Sequence, residues 1–179
     1  MRDWVWCNES MVRVDTVLNS WKAVREDTAL AVEEFPTEDF DYRPVADVMS
    51  FRELGRHILE AGHALSGLLL AGTDNFTGPG FRGLLDQHIA ELPAHDTPAE
   101  LAAALRAEVD SRCEQLSAQT REFFSGMITR FDGQQVTRLE MLQTIKEHEL
   151  THRSQMFMYL RLKGLVPATT RRRLSKAKA

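Results

Sequence analysis

The chain has 179 residues, 43% of them hydrophobic and 27% charged, a balance typical of one soluble globular domain with a substantial core. This composition excludes a disordered or collagen-like protein. The net charge of -4 gives no positive field that would draw the protein onto a polyphosphate backbone, so we expect no nucleic-acid partner.

Four segments show the periodicity of amphipathic helices, and no sustained period-two run of β-branched residues appears. The first segment extends from about Glu9 to Glu34 and ends near Pro36. After it, Phe40 to Pro44 are predicted to be extended, because the residue before a proline avoids the α region. The pattern as a whole predicts an all-α fold.

The second and third segments each begin with a capping box, in which a hydroxyl residue and a glutamate three positions later cap the free amides. Ser50 starts the second segment, which runs to Gly72, and Thr97 starts the third. The long connection between these two segments contains turn residues, and we predict a short helix from Phe81 to Leu92.

The fourth segment begins at the capping box of Thr137 and runs to about Lys163, with Gly164 at the C-terminal position that tolerates a positive φ. Before it, Asp132-Gly133 favours a short hairpin. Four long amphipathic helices predict a four-helix bundle with a long connection between helices 2 and 3. Residues 1–168 are assigned to this single domain, and the basic tail, 169–179, is expected to be disordered and solvated.

The cysteine content and the N-terminus predict a cytoplasmic protein. Cys7 and Cys113 are too few for a disulfide scaffold and are not spaced as a metal-binding pair. The N-terminus carries charge before any apolar run long enough for a signal peptide. No later window approaches the ~20 apolar residues of a membrane span, so we expect no membrane partner.

The fourth segment contains the string His148-Glu149-Leu150-Thr151-His152. Residues four apart on a helix differ by about 40° around the axis and lie roughly 6 Å apart, so His148 and His152 can both face one metal ion. A zinc protease with this string takes its third ligand from further along the chain. Residues 153–179 contain no His, Asp or Glu, so a third ligand must come from upstream.

Four upstream histidines could supply that ligand, as could carboxylates. On a helical wheel, His57 lies at the margin of the apolar stripe of the second segment and faces the interior. His63 lies about 120° away, toward solvent, on the same wheel. His88 and His95 fall in the connection, where the pattern does not fix their direction. His57 is therefore the predicted third ligand.

The histidines of the fourth segment interrupt its apolar stripe. A neutral imidazole in such a stripe needs a partner for each ring nitrogen, and a metal ion together with a hydrogen-bond acceptor supplies both. Taken singly, each histidine is better explained as an ordinary hydrogen-bonded core or boundary residue, but the set of three favours a metal. Glu149 either reaches a metal-bound water or is a solvated glutamate; Glu149 and Gln155 are assigned to orienting the ligands or the substrate.

With these residues, the chain resembles the DinB-like family, which is also described together with the YfiT-like metal-dependent hydrolases. Two positions differ from the common pattern: Thr151 stands where members often have a further histidine, and Ser154 where glycine is common. The resemblance covers most of the chain and rests on these strings: Tyr42-Arg43-Pro44, Ser50 with His57, His148 to Gln155, and Tyr159 to Gly164.

The resemblance implies a four-helix bundle that holds a divalent metal, zinc or nickel, through His57, His148 and His152. It also implies a homodimer and metal-dependent chemistry on a small-molecule substrate. The family's reactions include thiol S-transfer with mycothiol or bacillithiol, a thiol-dependent isomerisation and hydrolysis. Three neutral imidazoles leave a metal with its full charge and an open position, at which water or a thiol is activated.

The function predicted is therefore metal-assisted activation of a thiol or water nucleophile, as in a thiol S-transferase or a hydrolase. The first alternative is a non-catalytic metal-binding or stress-associated protein that forms a dimeric bundle. A zinc protease and a bundle without metal are the remaining alternatives. An apolar pocket beside the metal would favour an enzyme, whereas a fourth protein ligand would favour a binding protein.

Overall fold

The computed structural model describes residues 13–177, and these residues are mostly helical, as the sequence predicts. The predicted segment start at Glu9 and the residue Cys7 lie outside the described residues. The helices are α1 (Val14–Glu33), α2 (Phe51–Leu70), α3 (Phe81–Ala90), α4 (Pro98–Ser117), α5 (Arg121–Ser125), α6 (Arg138–Leu162) and α7 (Ala168–Lys176). A short 3-10 helix (Thr37–Asp39) and the strands β1 (Met127–Thr129) and β2 (Gln135–Thr137) complete the elements.

The predicted capping boxes set the starts of three long helices. Ser50, Thr97 and Thr137 each accept a hydrogen bond from the backbone amide three residues on, and the backbone amide of each cap donates one to the carboxylate of the partner glutamate. At the other end of α6, Gly164 has a φ of 76°, a conformation that side chains with a Cβ avoid. The start and end signals of α6 are thus both local.

The four long helices pack in a ring. Helix α1 packs against α4 and α6, and α2 packs against the same two helices from the opposite side, with α3 attached to α2. Strands β1 and β2 pair antiparallel as the hairpin that Asp132-Gly133 favours, with Ile128 opposite Val136. Among the described residues, no helix has the length and apolar character needed to cross a bilayer.

The core divides into two apolar halves along the helices. One half is built around Trp21, Leu69 and Ile145, and the other around Phe35, Phe51 and Tyr159. On each of the four long helices, the residues between these halves include polar or small ones. The buried polar residues of this middle layer are Arg25, Thr28, Ser66, Glu108 and Glu149.

Two predictions, one about a connection and one about the C-terminal tail, are wrong. Phe40 is not extended but helical, with φ -58° and ψ -29°, because the restriction before a proline applies only to its immediate neighbour, Arg43. The tail expected to be disordered from residue 169 contains α7. Arg171 pairs there with Glu34, the C-terminal cap of α1, and Arg172 pairs with Asp27 of α1, so that α7 lies against α1.

Candidate metal centre

Three histidines converge where α2 packs against α6. His57 lies in the middle of α2, and His148 and His152 lie on consecutive turns of α6. The Nε2 atom of His148 is 3.1 Å from that of His57 and 3.1 Å from that of His152. One ring nitrogen from each side chain lies within 4.8 Å of the other two, and all three residues are half-buried. The structure therefore brings together the three residues that the sequence singled out.

Hydrogen bonding among the three rings cannot satisfy this arrangement. An imidazole nitrogen has one in-plane direction, in which it carries either a proton or a lone pair. The Nε2 of His148 has two close nitrogen neighbours, so it cannot form a well-aligned hydrogen bond to both at once. A cation between the rings would accept the lone pairs of all three.

The spacing of the nitrogens fits such a cation. Histidine nitrogens lie about 2.0–2.1 Å from zinc, so two of them on a tetrahedral ion are about 3.3–3.4 Å apart. At right angles around the same ion they would be about 2.9 Å apart. The two observed separations of 3.1 Å fall between these values. These residues could hold a divalent ion through Nε2.

Burial keeps two of the rings neutral. It lowers the pKa of His148 to about 4, with the neighbouring His152 and His57 adding to the effect. Burial also lowers the pKa of His57, followed in importance by the proximity of His152. At neutral pH these imidazoles therefore carry lone pairs, which is the form that binds metal ions.

Gln155 lies behind His152. Its Oε1 is 2.8 Å from Nδ1 of His152, one helical turn away. A carbonyl oxygen can only accept, so Nδ1 of His152 is the donor in this contact, and Nε2 is the nitrogen that faces the other histidines. This is the kind of contact expected of a residue that orients a metal ligand. Gln155 itself is exposed.

Glu149 is enclosed by residues of α1. The residue is only 2% exposed, so the solvated alternative is wrong. Its carboxylate accepts hydrogen bonds from Nε1 of Trp21 at 2.9 Å, Nε of Arg25 at 2.9 Å and Oγ1 of Thr28 at 2.8 Å. All three donors are on α1, and the carboxylate is not among the ligand atoms that converge within 4.8 Å. Glu149 is therefore part of a buried hydrogen-bond network, and its reach to a metal-bound water stays a prediction.

Arg25 connects Glu149 to a second buried carboxylate, that of Glu108 on α4. Arg25 is fully buried, and its Nη1 donates to Glu108 Oε2 at 2.8 Å. Burial alone would lower the pKa of Arg25, but the charges of Glu149 and Glu108 raise it, so the guanidinium stays charged. Gly62 on α2 makes room for it, because a Cβ there would lie 2.5 Å from Nη2 of Arg25.

Sequence reasoning missed this network, although a signal for it exists. Arg25 lies four residues after Trp21 and three before Thr28, which places a charged residue on the buried stripe of α1. A buried arginine needs a buried carboxylate, and Glu149 is such a partner. The spacing alone does not say which carboxylate, because the partners are on other helices.

The comparison with known proteins identifies the family. A family model described as the DinB family matches residues 10–178. The chain belongs to the DinB family.

Two proteins from Bacillus species are similar to this DinB chain. The uncharacterized protein YjoA of Bacillus subtilis (strain 168) is 24% identical over 154 residues, which cover 86% of this chain and 93% of the relative. The crystal structure of the DinB-like YjoA superposes with a TM-score of 0.64 at 23% identity, covering 83% of this chain and 92% of that one. A DinB-like protein from Bacillus cereus ATCC 10987 gives a TM-score of 0.59 at 21% identity, with coverages of 86% and 95%. These similarities show the shared fold.

The remaining histidines of the DinB chain are distributed over the opposite side of α2. His63 is not directed to solvent as the wheel predicts: its side chain is 16% exposed, since Arg112 on α4 lies against it. His88 is on α3, with its ring centroid 6.1 Å from that of His63. His95 lies in the connection before α4 and lines a cavity of about 440 Å³ between α2 and α4. None of the three belongs to the converging group of His57, His148 and His152.

Proposed function

We propose that this DinB-family chain binds a divalent metal ion through His57, His148 and His152 and uses it to activate a small-molecule nucleophile. The observation that carries the proposal is the convergence of the three Nε2 atoms, two pairs of which are 3.1 Å apart. An all-imidazole ligand set suits zinc or nickel. The ring of α1, α4, α2 and α6 is taken as the predicted four-helix bundle that positions the ligands.

The residues of the chain have distinct roles in this proposal. His57, His148 and His152 present neutral nitrogens, so the site adds no negative charge to offset that of the ion. Gln155 holds the Nδ1 proton of His152 in place and with it the direction of the ring. When bound, the metal supplies Lewis-acid chemistry, lowering the pKa of a water or thiol at its open position.

The position of Glu149 favours a thiol over water as the nucleophile. Metal-assisted hydrolysis commonly uses a carboxylate as general base. In a zinc protease this base is the glutamate of the H-E-x-x-H string, the position that Glu149 has in this chain. Here three donors of α1 occupy the Glu149 carboxylate, and the group of converging ligands contains only histidines. A thiol ionises near neutral pH on a metal without such a base. We therefore place thiol S-transfer first and hydrolysis second.

Metal binding itself is tested first. Chain purified without an affinity tag is dialysed against zinc or nickel, and bound metal is measured for the parent and for His152→Ala. We expect the variant to lose one equivalent per chain, because two imidazoles hold a divalent ion weakly. His95→Ala is the matched control, since it removes an imidazole that is outside the group, and should keep the parent's content. Equal contents in all three proteins would refute the proposed site.

The thiol is tested on cobalt- or nickel-substituted protein. Mycothiol and bacillithiol are added separately, and the visible spectrum of the metal is recorded. Coordination of the sulfur at the open position should change the spectrum and produce a thiolate charge-transfer band. If water is the only ligand that binds at the open position, the spectrum stays unchanged at saturating thiol. This result would remove thiol transfer from the proposal and leave hydrolysis open.

The expected homodimer and cytoplasmic location stay predictions. Light scattering of the purified protein measures whether it is a homodimer.

A non-catalytic metal-binding protein is the competing function, and a spectrum that responds to neither thiols nor other small ligands would support it. Such a result means that the coordination sphere is closed.

A further inference from the structure

A second group of potential metal ligands lies on the other side of α2. It consists of His63 on α2, His88 on α3 and Glu91 at the C-terminal cap of α3, with ligand atoms within 4.8 Å of one another. His63 follows His57 by six residues, which corresponds to about 120° around the helix and ~9 Å along it. The two groups therefore face different sides of α2 and cannot share one ion.

The local structure explains why these three side chains meet. His88 and Glu91 are three residues apart and so lie on the same face of α3, the spacing at which helical side chains become neighbours. Helix α3 packs against α2, which brings this face to His63. Oε2 of Glu91 is 3.4 Å from Nε2 of His63 and 3.8 Å from Nδ1 of His88. Ligands on a tetrahedral zinc are about 3.3–3.4 Å apart, so small side-chain rotations would close the set.

The charge balance around the group favours a cation, although Arg112 lies close by. Nη2 of Arg112 is 3.1 Å from Nδ1 of His63 and 3.4 Å from its Nε2. The charge of Arg112 is already opposed by Glu108, whose Oε1 is 3.7 Å from Nε of Arg112. Arg112, Glu108, Arg25 and Glu149 form a chain of alternating charges that sums to zero.

Glu91 has no such partner. Among the described residues its contacts with basic groups are those to the imidazoles of His63 and His88. Nδ1 of His88 is enclosed and has no hydrogen-bond partner. The enclosed Nδ1 of His88 therefore lacks the partner that a buried polar atom normally has, and the carboxylate of Glu91, whose side chain is 63% exposed, lies 3.8 Å from it. A cation between the two would satisfy this nitrogen.

We propose that His63, His88 and Glu91 form a second divalent-cation site, separate from the three histidines of the candidate metal centre, which ties α3 to α2. Two imidazoles and one carboxylate are a ligand set that zinc takes. Helix α3 contains no fully buried residue, so apolar packing holds it less firmly than the long helices. The residues that follow α3, including Leu92 and Pro93, line the cavity between α2 and α4. A bound ion would therefore fix one wall of that cavity.

The test isolates the second site by removing the first. A chain with His148→Ala is titrated with Zn²⁺ alone by calorimetry, and we expect one ion to bind. Adding Glu91→Gln, which keeps the side-chain shape and removes the charge, should weaken this binding at least tenfold. Asp86→Asn is the matched control, because Asp86 is an exposed acid of the same helix and pairs with Arg82. It should leave zinc affinity unchanged.

A second measurement uses the chain with both sites present. The parent should bind two zinc ions, and Glu91→Gln should bind one, so poor folding of the His148→Ala chain does not prevent a result. Zinc should also slow amide hydrogen exchange in α3 of the His148→Ala chain by at least tenfold. The proposal is overturned if the parent and Glu91→Gln bind equal numbers of zinc ions, or if Asp86→Asn loses as much affinity as Glu91→Gln. If the parent binds a single zinc ion and Glu91→Gln abolishes this binding, the second site stands. The proposed function at His57, His148 and His152 is then refuted instead.

Discussion

Replacing Glu149 by glutamine separates a structural role of this residue from a catalytic one. The residue is 2% exposed, and its carboxylate accepts hydrogen bonds from Trp21, Arg25 and Thr28. Glutamine keeps an oxygen for part of this set, but it removes the charge and turns an amide donor toward the guanidinium. The account therefore predicts that Glu149→Gln destabilises the fold and leaves the metal ligands in place.

The magnitude follows from the burial of the ion pair. Removing one member of a buried pair typically costs 3–5 kcal/mol, because the other charge stays buried without its partner. Arg25 keeps Glu108 at 2.8 Å, which places the expected loss in the lower part of that range, about 3 kcal/mol. A loss of this size is a large fraction of the 5–15 kcal/mol by which ordinary domains are stable.

Urea unfolding followed by tryptophan fluorescence measures this loss, since Trp21 contacts Glu149 directly. The measurement is made with a chelator present, so that metal binding does not contribute. Glu147→Gln on the exposed face of α6 is the control and should change stability by less than ~0.5 kcal/mol. If Glu149→Gln is within ~1 kcal/mol of the parent, the reasoning about the buried network is refuted.

Further predictions concern other parts of the molecule. Gly164→Ala should lower the free energy of unfolding by about 1–2 kcal/mol, because Gly164 has a φ of 76°. Gly83→Ala in α3 should not destabilise the protein, because no atom lies near the added Cβ. The urea midpoints of the two variants compare these effects. Burial raises the pKa of Cys113 to about 11, so a Cys7→Ser chain should react with Ellman's reagent at pH 8 only after unfolding, and rapid native labelling would contradict this. Gln155→Ala should weaken zinc binding 10–100-fold, and an unchanged affinity in a calorimetric titration would show that the contact with His152 orients nothing. Zinc at 100 times its dissociation constant should stabilise the parent by about 2.7 kcal/mol, a gain that a chelator reverses.

The parts of the fold that the sequence predicts well are those set by local signals. The capping boxes at Ser50, Thr97 and Thr137 act within four residues, and each starts a helix at the predicted position. The hairpin at Asp132-Gly133 depends on the turn alone. Helix α3 begins at the predicted residue, Phe81, and ends two residues earlier than expected.

Features that depend on distant partners were not predictable in the same way. Helix α7 is attached to α1 by arginine pairs with Asp27 and Glu34, which no pattern within the tail reveals. A helical wheel ranks positions on one helix, so it could not show that Arg112 of α4 covers His63. The solvated alternative for Glu149 was wrong for the same reason, because its partner Arg25 is 124 positions away.

The candidate site could be predicted because its geometry is largely local. Two ligands come from the four-residue spacing of His148 and His152, and only the choice of His57 needed a relation between helices. That choice relied on the apolar stripe of α2, which faces α6 in the structure. The role of these residues as metal ligands remains a prediction.

The most direct test of the central claim is a crystal structure of zinc-loaded protein with anomalous diffraction recorded at the zinc edge. The account predicts an anomalous peak about 2.0–2.1 Å from Nε2 of His57, His148 and His152, with at least one coordination position not taken by the protein. A map without a peak between these rings, from protein saturated with zinc, would contradict it.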